Sequence, residues 1–194
     1  MRVAIRALDN YLRRKTEIVE FSQDPDCLFR VRFTKAYRDL VLPDITVEKG
    51  QPVAEIHWWN EHIPPVSAEG LDLRWAVAMR RKLIVTHQEM AQQLLDNPAW
   101  QACSAVGTTT ALFPAADDTW VRKMQRLGYI VLPHDNPAGR LREFFEAVWA
   151  WSLWKTYQSG TLRVLSPFAI SRSDFWMSTA TMVRMYGDNS RRGR

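Results

Sequence analysis

Residues 54–65 read AEIHWWNEHIPP and bring together two imidazoles, two carboxylates, a carboxamide and two indoles. Such a set is equipped for metal ligation, for acid–base work or for holding a polar ligand. Metal ligation fails on spacing. A zinc helix of the HExxH or HxxEH kind puts its ligands on one helical face, whereas here His57 is followed by three residues and then Glu61-His62. On an extended chain His57 and Glu61 face alike and His62 points away. No metal and no cofactor is therefore expected. A hydrolytic reading makes His57 a general base, Glu55 or Glu61 its orienting carboxylate and Asn60 the group that polarises a carbonyl. Ser104, Thr108, Thr109 and Cys103 are its candidate nucleophiles, but no GxSxG elbow presents any of them. A binding reading adds Trp59, whose ring offers a flat apolar surface, together with Glu61 and, from a long helix further on, Arg80 and His87.

The elements around these residues follow from periodicity. CLFRVRF alternates Cys27, Phe29, Val31, Phe33 with Leu28, Arg30, Arg32, the period-two pattern of a strand with one wet face. Extended stretches near Leu40–Leu42 and Val53–Trp58 flank a turn at Glu48-Lys49-Gly50-Gln51. In the second of these, Val53, Glu55, His57 and Trp59 share one face, and Ala54, Ile56 and Trp58 share the other, the plainer core face. Ser67 followed by Glu69 opens a helical pattern that runs to Asn97-Pro98, with Ala76, Met79, Leu83, Met90 and Leu94 as its apolar stripe and His87 beside it. ACSAVGTTTALF reads as a packed strand, Asp117-Asp118 caps a short helix ending at Leu127-Gly128, and YIVLP is a further strand, so a parallel crossover is expected here. RLREFFEAVWAWSLWKTY is apolar nearly all round, the mark of a buried helix or an interfacial one. Ser171-Arg-Ser-Asp-Phe has capping residues suited to a last helix that stops at Tyr186-Gly187. An amphipathic helix is expected at the start, around Val3, Ile5, Leu8 and Leu12. The fold class expected is α+β (mixed α/β): a small mixed sheet packed by a long central helix and C-terminal helices.

A chain of 194 residues, 46% hydrophobic, is long enough for one sizeable core and short for two. We expect one globular domain over residues 1–187 and a basic tail over 188–194. The net charge of +5 favours anionic partners, but Arg191, Arg192 and Arg194 supply part of it from that tail. The other basic residues are scattered and no RNP-type or zinc-finger pattern accompanies them, so no specific nucleic acid is expected. VGTTT lacks the second glycine and the lysine of a phosphate loop. Cys27 and Cys103 are far apart and outside any CxxC pair, consistent with free thiols. Neither a secretory signal nor a run of apolar residues long enough for a span is present, so a cytoplasmic location is expected. Trp149, Trp151 and Trp154 beside Arg140, Arg142 and Lys155 would suit peripheral membrane contact.

GQPVAEIHWWN, with its glycine, the following apolar residue, then Glu55-Ile56-His57 and Asn60, resembles the motif of the YkoP-like domain, a bacterial domain found alone or attached to polysaccharide deacetylases. LFRVRF before it, the passage from Gly107 to Val131 and ISRSDF agree in order, so the resemblance spans about Leu28 to Tyr186. It implies a small mixed α/β domain associated with cell-envelope carbohydrate chemistry. Gln51 stands where the family motif is acidic. The deacetylase module's own TFDDGP and HxxxH motifs are absent, so deacetylase activity does not carry over. The expectation is an accessory domain that binds an anionic, carbohydrate or lipid-linked small ligand. The alternatives are a small acyl-transfer or hydrolytic enzyme with His57 as base, and a peripheral membrane-surface module.

Overall fold

The computed structural model describes residues 15–65, 72–110, 118–134, 139, 144, 148 and 173–187. The amphipathic start, the Ser67 and Glu69 signals, the aromatic run with Trp149, Trp151 and Trp154, and the basic tail lie outside them.

The mixed α+β class is observed. Strands β1 (Phe29–Lys35), β4 (Pro52–Trp58), β5 (Ala105–Thr110), β6 (Ile130–Pro133) and β7 (Ser173–Ser178) form one sheet in the order β1-β4-β5-β7-β6, and β2 (Leu40–Val41) pairs with β3 (Thr46–Val47) in a separate hairpin. Helices α1 (Leu73–Asp96), α2 (Pro98–Gln101), α3 (Asp118–Arg126) and α4 (Thr179–Tyr186) complete the described architecture. None of the described helices is long and apolar enough to cross a membrane.

β4 and β5 are parallel neighbours joined through α1, while β5 and β6 both run antiparallel to β7 and are therefore parallel to each other. The crossover read from the sequence exists as direction but not as adjacency, because β7 lies between its two strands. The last element also differs from the sequence reading. Residues 173–178 are a strand, and the helix begins only at Thr179, with Ser178 accepting from the Thr181 amide at 3.0 Å. The strand alternates Asp174, Trp176 and Ser178 with Phe175 and Met177, and both sets are buried.

Among the described residues α1 begins after Asp72, whose Oδ1 accepts from the Trp75 amide at 2.7 Å. It stops where Pro98 forbids continuation. Asn97 closes α1 through its backbone and caps α2 through its side chain. Thr86 is fully buried; its hydroxyl donates to the Lys82 carbonyl and accepts from the Leu28 amide, which fixes the start of β1 against α1.

The sheet separates two cores. On one face Phe29, Val31, Ala54, Ile56, Val106, Phe175 and Met177 pack against Met79, Met90, Ala91 and Leu94 of α1 and Met182 of α4. On the other, Val53, Ala105 and Trp176 pack under Ala36, Leu40, Leu42 and Val47 of the hairpin region. Asp44 at the hairpin's tip is bound by the hydroxyls of Ser178 and Thr181.

Candidate functional site: the polar face of the sheet

The register of the strands puts the chemistry-bearing side chains on the second face. Arg30 lies opposite His57 and Arg32 opposite Glu55 in the β1–β4 ladder, Glu55 is level with Gly107, and Thr109 is opposite Asp174. Alternation keeps His57 on the face of Glu55 and Thr109 on that of Gly107. One transverse row therefore reads Arg30, His57, Thr109, Asp174, and the next reads Arg32, Glu55, Gly107, Trp176. Adjacent strands lie about 4.8 Å apart. Gly107 keeps the middle of the second row free of a side chain, and the Trp176 indole occupies the space.

At one end of this face Arg32 binds the Glu55 carboxylate through both Nε and a terminal nitrogen, and His57 Nε2 stands 3.8 Å from the other carboxylate oxygen. Burial holds the His57 imidazole below its ordinary pKa; Glu55 pulls the other way and Arg32 adds to the lowering. The ring is therefore neutral at pH 7. Its Nε2 is shielded from solvent and has no hydrogen-bond partner among the described residues. Arg30 is buried with Nε 3.3 Å from Glu20 and a terminal nitrogen 3.6 Å from Glu61. Its guanidinium lies 4.6 Å from the centre of the Trp59 ring, and the other side of that ring stacks on His62 at 3.8 Å. Asn60 opens the 3-10 turn Asn60–His62 that follows β4. His62 Nδ1 donates to the Cys27 carbonyl at 2.7 Å, which holds the turn against the start of β1.

The other end of the face was not found from the sequence. Asp174 is fully buried, and four donors reach its carboxylate: Thr109 Oγ1 at 2.7 Å and His134 Nδ1 at 3.0 Å on one oxygen, Arg38 at 3.0 Å and the Tyr37 hydroxyl on the other. Burial and the adjacent carboxylate push the Tyr37 phenol up, so it stays a donor. Arg38 also donates to the Pro133 carbonyl at 2.6 Å. His134 Nε2, Arg38 Nε and Trp176 Nε1 are buried and have no hydrogen-bond partner among the described residues. The signal that would have found this end is the alternation of SDFWMS, which marks Asp174 as a buried carboxylate between apolar neighbours.

Of the residues singled out in the sequence, the structure brings Glu55 and His57 together and ties Trp59 and Glu61 to them through Arg30. It does not bring Arg80 or His87 to this face. Both belong to α1, which packs on the opposite face, and Arg80 is exposed. His87 is buried beneath Phe29, Tyr129 and Tyr186, with Nδ1 donating to the Leu83 carbonyl and Nε2 accepting from the Tyr129 hydroxyl at 2.9 Å. Both ring nitrogens are satisfied there. Leu83, His87 and Tyr129 also line an apolar crevice between the sheet, α1 and α3.

The hydrolytic arrangement lacks a nucleophile at His57 among the described residues. Thr109 donates to Asp174, Thr108 points to the helix face and donates to the Thr109 carbonyl, and the Cys103 thiol is buried, its pKa pushed up to about 11. Among the described residues no group of three or more histidines, cysteines and carboxylates is placed to hold a metal ion.

No family model, curated protein or solved structure matches this chain.

Proposed function

We propose that this is a ligand-binding domain whose polar sheet face holds a hydroxyl-rich, saccharide-like ligand, in keeping with an accessory role in cell-envelope carbohydrate chemistry. The observation that carries this reading is the gathering on one sheet face of buried, unpartnered atoms of both kinds. Trp176 Nε1–H and Arg38 Nε–H are donors, His134 Nε2 is an acceptor because Nδ1 already donates to Asp174, and His57 Nε2 is in reach of the same face. Leaving a buried polar group unmatched costs about 1–3 kcal/mol, and native folds tolerate few of them. Sugar hydroxyls both donate and accept, so one ligand type answers this mixed set.

The charges argue the same way. Arg32 is paired with Glu55, Arg38 with Asp174, and Arg30 with Glu20 and Glu61. An anion would have to compete with carboxylates already bound to these guanidinium groups, whereas a neutral polyol leaves the pairs intact. The envelope setting rests on the resemblance of GQPVAEIHWWN to the YkoP-like motif.

Thermal melts with uncharged N-acetylglucosamine oligosaccharides and with glucuronic acid oligomers test this reading. The uncharged series is expected to raise the melting temperature. At 100 times Kd the gain is about 2.7 kcal/mol, or roughly 2–4 °C for each kcal/mol in a domain of this size. His57→Gln is expected to abolish the response while melting normally without sugar. No response in the wild type, or an undiminished one in His57→Gln, overturns the assignment, and a response to the uronic acids alone replaces the neutral ligand with an anionic one.

A further inference from the structure

We infer that His134, oriented by Asp174, is a general base for hydrolysis of O-acyl esters carried by the ligand of the polar face. This extends the saccharide-binding reading and rests on it for the substrate class.

Asp174 receives four donors, from Thr109, His134, Tyr37 and Arg38, an arrangement that only a carboxylate can accept in full. A carboxylate at 3.0 Å from His134 Nδ1 requires that nitrogen to carry a hydrogen. In the neutral ring the lone pair is then on Nε2. That atom is buried and unpartnered, so nothing in the described protein consumes the basic site. A carboxylate that fixes the tautomer, a ring held by it and a free Nε2 are the parts of an oriented general base.

The surroundings supply the remaining needs of ester hydrolysis. Trp176 is two residues along β7 from Asp174 and on the same face, and Arg38 binds Asp174 through a terminal nitrogen; among the described residues Trp176 Nε1–H and Arg38 Nε–H are buried donors without a hydrogen-bond partner. Such donors in a water-poor site stabilise a developing oxyanion. In the step, His134 Nε2 takes a proton from water as the water oxygen bonds to the acyl carbon and the carbonyl electrons move onto oxygen. When those electrons return, the bond from the acyl carbon to the sugar oxygen breaks, and that oxygen takes the proton from His134. One water is consumed, a carboxylic acid and a free hydroxyl form, and the base is restored without any redox change. Asp174 of β7 meets His134 directly, and Tyr37 and Arg38 from the segment after β1 reach the same carboxylate. Asp174 acts through His134 and is a positioning residue.

p-Nitrophenyl acetate is the probe. The wild type is expected to hydrolyse it above the buffer rate, and more slowly in deuterium oxide, as proton transfer in the rate-limiting step requires. His134→Gln is expected to lower the enzymatic rate about 100-fold or more, with an unchanged melting temperature. Asp174→Asn is expected to displace the pH–rate profile and to change the 15N shifts of His134 that report which nitrogen holds the proton, effects that a purely structural role would not produce. Cys103→Ala is expected to keep the rate. A wild type no faster than buffer, a His134→Gln variant as fast as wild type, or a rate insensitive to deuterium overturns the inference. Oligosaccharide melts separate the two readings: sugar binding without ester hydrolysis sinks the dyad alone, and His134-dependent hydrolysis without sugar binding sinks the saccharide ligand alone.

Discussion

Lowering the pH from about 6.5 to about 4 will destabilise the fold by about 3 kcal/mol through His87 alone. The ring is fully buried, and burial brings its pKa from 6.5 down to about 4, with the bond to the Leu83 carbonyl opposing. Above pH 6.5 the imidazole is neutral in both the folded and unfolded chain, so it contributes no pH dependence. Between the two values the unfolded chain binds a proton that the folded chain refuses, and stability falls as pH falls. Below about 4 both states carry the proton and the loss stops growing. The effect is a property of the core between α1 and the sheet, where the protonated ring would give up the bond it accepts from Tyr129. Urea denaturation at pH 7.5 and pH 4.5 measures it, with His87→Phe as the reference. That variant starts lower, since the Tyr129 hydroxyl loses its partner at a cost of about 1–3 kcal/mol, but its decline with acid should be shallower by most of the His87 contribution. Equal declines in the two proteins would refute the assignment, because the carboxylates are common to both.

Gly107→Ala will cost about 4 kcal/mol or more, placing it among the rare severe single substitutions. A Cβ at this position would stand 2.5 Å from two atoms of the Trp176 indole and closer still to the Phe175 carbonyl oxygen. Small overpacking is relieved when a flexible side chain end moves, but here a backbone oxygen of a paired strand and a buried ring both block it. β5 is bonded on both sides, by β4 and by β7, so neither neighbour can withdraw without breaking a ladder. Gly50 is the useful contrast. Nothing lies within 4 Å of its Cβ position, and its φ of +92° is the only obstacle, so Gly50→Ala should cost about 1–2 kcal/mol. Chemical denaturation of both variants checks the order. A Gly107→Ala protein as stable as Gly50→Ala would mean that Trp176 does not lie where the structure puts it.

Both effects bear on how far the sequence could be read. The alternation of β1 and β4 and the apolar stripe of α1 were legible because each repeats its period over several residues. So was the sharing of one strand face by Glu55 and His57. β7 was not, since Ser171-Arg-Ser-Asp looks like a helix cap and no loop separates the strand from α4. Ser178 ends one element and caps the next, which moves the true cap seven residues beyond Ser171. The same ambiguity hid Asp174, whose partners Tyr37 and Arg38 are 137 and 136 residues away in the chain. Local patterns carry no record of such a meeting; strand order creates it. His87 shows the opposite limit. Its residue type suggested a site, yet Leu83, His87, Met90 and Leu94 fall on one helical face, and that spacing already placed it with the core.

Cys27 and Cys103 stand just ahead of β1 and just before β5, both buried, their thiols pushed up by burial. Since the thiolate is the reactive form, neither can be alkylated at neutral pH until its own strand pulls away from the helices. The two sulfurs are therefore intrinsic clocks, one for the edge of the sheet and one for its middle. If the edge opens alone, Cys27 will be labelled first while Cys103 keeps time with global unfolding; a single shared rate would show that β1 and β5 leave the native state in one event.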